Sequence, residues 1–430
     1  MRASPVVAGV VLAVACRGRP LPNGSASSSA RSVSSSALPQ PPPSSAAARA
    51  FYGPHFSKRP YPPDVTALGR LLFFDPALSA SGRQACASCH DPKFAYGPPD
   101  ARSVELGGPE LDQPGLRAVP SLRYLDKVPR FSEHFFDEDL NDSVDQGPTG
   151  GHTWDGRADT LHDQARAPLT SPFEMANTSM EAVVAKVEHA AYAERFRAVF
   201  GADVFDEAER ATNAVLLALE VFQQSPTDFY PFTSRYDAYL RRKGELDARE
   251  TRGLALFDDP RKGNCAHCHP SQGHHGKFPI FSDFGYVALG VPRNQELVKN
   301  RDPTFYDLGL CGPLRTDLSA HEEYCGEFRA PTLRNVAVRR TFFHNGLFHS
   351  LKDVLGFYAS RDTTPARWYR GAHERPPYDD LPRELRSNVN QEPPFGRKPG
   401  EAPALTPSEI DDVIAFLKTL DDADVAPRAK

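Results

Sequence analysis

Ile410, Val413, Ile414, Leu417 and Leu420 recur at three- and four-residue intervals, the apolar stripe of one helix. Ahead of that stripe stands Thr406-Pro407-Ser408-Glu409, which reads as Thr406 at the cap, Pro407 in the first helical position and Glu409 as reciprocal capping partner. Val184, Val187, Ala191 and Phe196 carry the same spacing, and residues 181–200 predict two helices broken near His189. A further helix is expected over 206–224, rich in Ala and Leu and ending before Ser225-Pro226. No stretch sustains a period of two. The chain is therefore expected to be mostly α-helical, and 41 prolines predict long, rigid loops between the helices.

One apolar run breaks this amphipathic pattern. Val6 to Ala15 is about ten residues long, too short to span a bilayer, and follows Met1-Arg2 as the core of a secretory signal would. It ends at Ala13-Val14-Ala15-Cys16, similar to a bacterial lipoprotein cleavage site, with Ala13 where Leu is usual and Leu12 one place early. Cys16 is thus a candidate lipid anchor, against ordinary cleavage nearby or an incidental Cys within a signal over 1–16. Residues 17–50 are Ser, Ala and Pro with almost no large apolar side chain, the composition of a flexible tether. The expected compartment is the periplasm.

At 430 residues the chain has room for two or three domains. A net charge of −5 without any basic run argues against nucleic acid as a partner.

The chemistry lies in a motif that occurs twice, Cys86-Ala87-Ser88-Cys89-His90 and Cys265-Ala266-His267-Cys268-His269. Cys-x-x-Cys-His is the attachment pattern of a c-type haem. Its two thiols are spaced to form thioethers, and its His lies under the ring as an iron ligand. A redox dithiol has no need of the His, and a zinc site needs a further ligand pair. With 7 Cys and 14 His in the chain, chance supplies such a pattern roughly 0.004 times. Two haems are expected. Each motif follows a related segment, Gly69-Arg70-Leu71-Leu72-Phe73-Phe74-Asp75-Pro76 and Gly253-Leu254-Ala255-Leu256-Phe257-Asp258-Asp259-Pro260, alike at five of eight positions. Each reads as a short helix stopped by Asp-Pro, its Leu and Phe turned to the haem that follows. Two cytochrome c-like domains are expected, roughly 51–235 and 236–430.

Between and after the motifs come Trp154-Asp155-Gly156-Arg157-Ala158, Gln164-Ala165, Pro168, and Ser171-Pro172-Phe173-Glu174-Met175, then Pro331-Thr332-Leu333-Arg334-Asn335-Val336 and Phe342-Phe343-His344-Asn345-Gly346. In this order, over about 68–420, the chain resembles the bacterial dihaem cytochrome c peroxidases, including their MauG-type branch. The resemblance implies a first, peroxide-handling haem and a second haem that stores or relays an electron. It places Glu174 and Gln164 over the first iron. Heterolysis of O–O needs a base to move a proton between the two oxygens and a donor for the leaving hydroxide, roles that suit Glu174 and Gln164. Trp154 matches the tryptophan between the haems, while Asp155 and Arg157 read as a charge-assisted pair fixing its turn. His134 and His152 lie where many peroxidases have a distal ligand, and read as loop histidines.

The peroxidases ligate the second iron with Met, but this chain has only Met1, Met175 and Met180. Aligned on Ser350-Leu351-Lys352, the Met position falls on Tyr358, where MauG-type proteins carry a Tyr ligand; His344 and His349 are the rivals. The metal ligands expected are His90, His269 and Tyr358. The resemblance further implies hydrogen peroxide as substrate, and a small c-type cytochrome or cupredoxin as donor. It also leaves open a protein substrate in the MauG manner, a homodimer, and Ca²⁺ between the haems on backbone carbonyls and an Asn. The Asn position falls near Arg123-Tyr124, which leaves calcium a candidate only. Cys311 and Cys325 are expected to form a disulfide in an oxidising compartment, and His267, His274 and His275 to be loop residues. The alternative from another class is a dihaem electron carrier without catalysis.

Overall fold

The computed structural model describes residues 62–136, 145–273, 277–369 and 377–425. The expected signal, Cys16, the tether, and His274 and His275 lie outside the described residues. Among those described, eight helices have eight residues or more: α1 Pro63–Phe74, α2 Leu161–Thr170, α3 Met180–Glu188, α4 Ala193–Phe200, α5 Ala208–Gln223, α6 Ala248–Asp258, α7 Leu351–Ser360 and α8 Pro407–Lys418. Two small antiparallel pairs and several shorter helical turns accompany them. β1 Leu106–Gly107 pairs with β2 Gln113–Pro114, and β3 Tyr286–Val287 with β4 Phe328–Arg329. Long loops connect the rest.

The helix ends follow from the residues that predicted them. Thr406 Oγ1 accepts from the Glu409 N–H, and Glu409 Oε2 accepts from the Thr406 N–H at 2.8 Å. Residues 181–200 do split, with His189 capping α3. α1 and α6 both stop at an Asp followed by Pro, and both Asp residues adopt extended backbone.

Two apolar clusters form. One takes core residues from Val65 to Tyr230 and the other from Tyr236 to Leu420. The Gly-Leu-Phe repeat occupies matching places in them. A Cβ on Gly69 would stand 1.9 Å from the Ala218 carbonyl oxygen of α5; one on Gly253 would stand 2.1 Å from that of Asp412 in α8. Each helix pair therefore crosses at a glycine, close enough for the next aromatic to enter the core. Phe73 then packs edge-on to Phe222 at 5.4 Å and Tyr96 at 5.7 Å. Phe257 packs likewise on Phe416 at 5.2 Å and Phe281 at 6.2 Å. Both Phe side chains are buried in these aromatic clusters, and Phe257 also borders the second haem motif.

A second internal repeat, sharing Pro, Leu and Arg, is matched in the fold. Pro120-Ser121-Leu122-Arg123-Tyr124 and Pro331-Thr332-Leu333-Arg334-Asn335 take the same path, Tyr124 and Asn335 both at φ near +60°. Ser121 Oγ donates to Ala95 O and accepts from the Arg123 N–H; Thr332 Oγ1 donates to Ile280 O and accepts from the Arg334 N–H. The two copies meet at Asp422, whose carboxylate accepts from Tyr124 at 2.8 Å and from Asn335 Nδ2 at 2.7 Å. Arg334 and Asp237 form a fully buried pair at 2.9 Å. Of these contacts, that of Tyr124 on Asp422 ties the first cluster to the second half of the chain.

Candidate dihaem site

Cys86 to Cys89 form a single helical turn, and Cys265 to His267 a 3-10 turn. This brings each Cys pair and its His to one side of the chain. All four cysteines are free, and burial pushes their thiols up to about 12, so they are neutral thiols ready to become thioether sulfurs. His90 Nδ1 bonds the Tyr96 carbonyl at 3.0 Å, and His269 Nδ1 bonds the Phe281 carbonyl at 2.8 Å. Tyr96 and Phe281 are both left-handed, φ +54° and +57°, which turns each carbonyl towards its imidazole. The same bond in both halves leaves Nε2 free for iron and fixes the ring plane, as metal-bound histidines require. Burial lowers both histidines to about 4, so they are neutral ligands at pH 7. Nothing in the sequence pattern marks Tyr96 and Phe281 except their aromatic character.

Around the second motif a largely apolar cavity is lined by Cys265, Cys268, His269, Leu289, Leu355 and Tyr358. These residues fit a c-type haem: two thiols, one oriented imidazole and a greasy wall. Tyr358 sits on α7 and stacks on Phe395 with ring centroids 5.5 Å apart. Burial, with Cys268 and Cys265 beside it, holds its phenol well above the usual value. Met175 and Met180 are buried in the other cluster. His344 also lines the cavity but stacks on Phe328 at 3.6 Å, while His349 is exposed. His267 is solvent-exposed, facing Glu392 at 3.6 Å. His134 is exposed and bonded to Asp145, and His152 is buried next to Arg329.

Near the first motif, α2 carries Gln164 half-buried in its first turn, one turn before Pro168 on the same face. The chain then folds back, and the Met175 N–H bonds the Pro168 carbonyl at 3.0 Å. This returns Glu174 to the C-terminal turn of α2. The Glu174 turn is held from outside as well. Its carbonyl accepts from the Gly108 N–H and that of Met175 from the Ala80 N–H, both at 2.8 Å. Glu174 lies close enough to Cys86 and Cys89 for its charge to raise both thiols. Its surface faces open space, yet the protein around it excludes enough water to raise its pKa, with Ser171 and Arg157 opposing only in part. Glu105 was not legible from sequence. It neighbours Cys89, leaves Oε1 without a hydrogen bond, and is pushed up to about 7 by burial and Asp100.

Trp154 lines the second cavity and donates from Nε1 to the Ala118 carbonyl at 2.7 Å. Pro120, two residues on, lines the same cavity and faces His90. The indole thus joins the wall of one site to the segment touching the other. Arg157 does pair with Asp155 at 2.8 Å, but Asp155 is also gripped by Arg117 at 2.7 Å, which reaches on to Asp307. Cys311 and Cys325 are disulfide-bonded.

Residues 63–245 match the family model described as di-haem cytochrome c peroxidase. The methylamine utilization protein MauG of Paracoccus denitrificans is 32% identical over 387 residues, covering 86% of this chain and 91% of its own. The chain belongs to the dihaem cytochrome c peroxidase/MauG family. Cytochrome c551 peroxidase of Nitrosomonas europaea is 30% identical, over 68% of this chain and 72% of that one. Among solved structures, the diheme peroxidase BthA from Burkholderia thailandensis superimposes with a TM-score of 0.77 at 41% identity, covering 86% of this chain and 89% of that chain. The family brings two c-type haems and an oxidoreductase chemistry acting on peroxide. At the candidate calcium position, Tyr124 and Arg123 are engaged with Asp422.

Proposed function

We propose that this protein reduces hydrogen peroxide to water, H₂O₂ + 2 e⁻ + 2 H⁺ → 2 H₂O, with electrons from a small c-type cytochrome or cupredoxin. The observation that carries this reading is a desolvated carboxyl, Glu174, held by a buttressed turn beside the first attachment motif. A bound haem would supply the iron and the redox equivalents there. Its attachment residues would be Cys86, Cys89 and His90 at the first site, and Cys265, Cys268 and His269 at the second. Glu174 takes the proton from the inner peroxide oxygen and returns it to the outer one. Its raised pKa favours holding that proton in transit. Gln164 donates a hydrogen bond to the departing hydroxide. Trp154 gives an electron or hole a stopping place between the two sites. The two haem domains are proposed at 51–235 and 236–430, the enzyme in the periplasm, with Cys16 as candidate lipid anchor and a homodimer as candidate assembly.

A second reading is favoured by Tyr358 on the wall of the cavity that holds His269. As phenolate it would be a hard anionic ligand to the second iron beside His269, with His90 serving the first, and would stabilise the oxidised second iron. That suits a MauG-like enzyme oxidising side chains of a partner protein. A non-catalytic carrier is disfavoured by the Glu174 frame. The deciding experiment is the initial rate at which peroxide drives oxidation of a reduced small cytochrome c by the holoenzyme. Many turnovers per second establish the peroxidase. A spectral response to peroxide without turnover transfers the reading to a protein substrate, and no response leaves the carrier.

A further inference from the structure

Among the guanidiniums in the wall between the two sites that the proposed reaction does not use, Arg339 reaches towards both motifs. Arg339 donates from Nη2 to the Val119 carbonyl at 3.0 Å and from Nε to the Thr341 carbonyl at 3.3 Å. Val119 precedes Pro120, the residue that faces His90, and a Cβ on Gly97 would lie 3.6 Å from Arg339 Nη1. Arg339 therefore reaches the turn that follows the first haem motif. It also lines the cavity of the second motif together with Trp154 and Pro120. Its neighbour Arg340 lies over the Phe94 ring at 4.8 Å, so two successive arginines clasp the same turn.

We infer that Arg339 is a built-in cation of the inter-haem wall, and that it replaces a divalent ion on the backbone carbonyls there. Ca²⁺ takes six to eight oxygen ligands at about 2.3–2.6 Å. Here the Val119 and Thr341 carbonyls point at guanidinium N–H groups, and the side chains at the candidate Asn position are tied to Asp422. A guanidinium satisfies two carbonyls with fixed geometry and cannot be chelated away. Burial lowers it only to about 10, so its charge persists at pH 7, and that charge is felt at His90. One fixed positive charge beside both haems favours the reduced state of each. Arg339 is a positioning residue, since it holds Val119 and Thr341 and sets potential without touching peroxide. The inference rests on the dihaem reading only for the presence of two haems.

The test uses the holoenzyme. Wild-type protein equilibrated with calcium and desalted is assayed for bound metal by mass spectrometry, then for turnover in EGTA against added calcium. No stoichiometric calcium and equal rates are expected; one calcium per chain, or a rate lost to EGTA, overturns the inference. In Arg339→Gln the potentials of the haems, read by spectroelectrochemical titration, should fall. A tenfold weaker reduction equilibrium is expected at the first haem, about 59 mV for one electron, with Arg339→Lys restoring most of it. Unchanged potentials in a haem-replete Arg339→Gln protein overturn the electrostatic role. Should that variant fail to fold, the wild-type calcium measurement decides. Absent peroxide turnover with these outcomes intact would instead sink the peroxidase reading alone.

Discussion

Glu174→Gln keeps the size of the side chain while removing its ability to accept a proton. The turn beneath it is held by the Gly108, Ala80 and Pro168 hydrogen bonds, all between backbone atoms, so the exchange leaves the fold in place. What is lost is the proton transfer. General base catalysis contributes about 10²–10⁴ in rate. At about 1.36 kcal/mol per tenfold, that is about 2.7–5.4 kcal/mol of barrier. A loss of about 10³ is expected, since the desolvated carboxyl is a stronger base than one in water. The assay is stopped-flow mixing with peroxide, following the haem spectrum at equal haem content. The sign of the pH dependence follows from the raised pKa. The carboxylate form is needed, so the wild-type rate should fall as pH drops through a value above the ordinary carboxylate range. That acid limb should vanish in Glu174→Gln and survive in Glu105→Gln. A loss smaller than about tenfold, or a limb that disappears with Glu105 instead, would refute the assignment.

Tyr358→Met exchanges a hard anionic donor for a neutral thioether, and the potential of the second haem should rise; an unchanged potential would remove Tyr358 from the ligand set. The same type of exchange, tyrosine to methionine, exists in a solved variant of BthA. Gly69→Ala and Gly253→Ala each drive a Cβ into a carbonyl oxygen across a helix crossing. Each should cost about 1–3 kcal/mol in chemical denaturation, and a neutral result would mean the crossings are looser than they stand here. Arg334→Met leaves Asp237 fully buried without its partner, for a loss of about 3–5 kcal/mol by the same measurement. A loss below about 1 kcal/mol would show that water reaches that carboxylate.

The family resemblance was legible in short-range order, because haem attachment demands two thiols and a His within five consecutive residues. Helix ends were legible for a similar reason. The capping box at Thr406 and the Asp-Pro stops of α1 and α6 are satisfied within a few residues of backbone. The hydrophobic stripe of α8 gave its inward face, though not the partner helix α6 or the glycine at their crossing. What only the tertiary structure decided are contacts between segments far apart in the chain. The carbonyls that orient His90 and His269 come from left-handed residues whose conformation no local pattern demands. The meeting of Tyr124 and Asn335 on Asp422 joins positions separated by 298 and 87 residues. Arg339 and Val119 meet across 220 residues to fill the wall between the haems. Such contacts depend on how two cores dock, and the energy that selects them is spread over the whole packed surface rather than written in any one window of sequence.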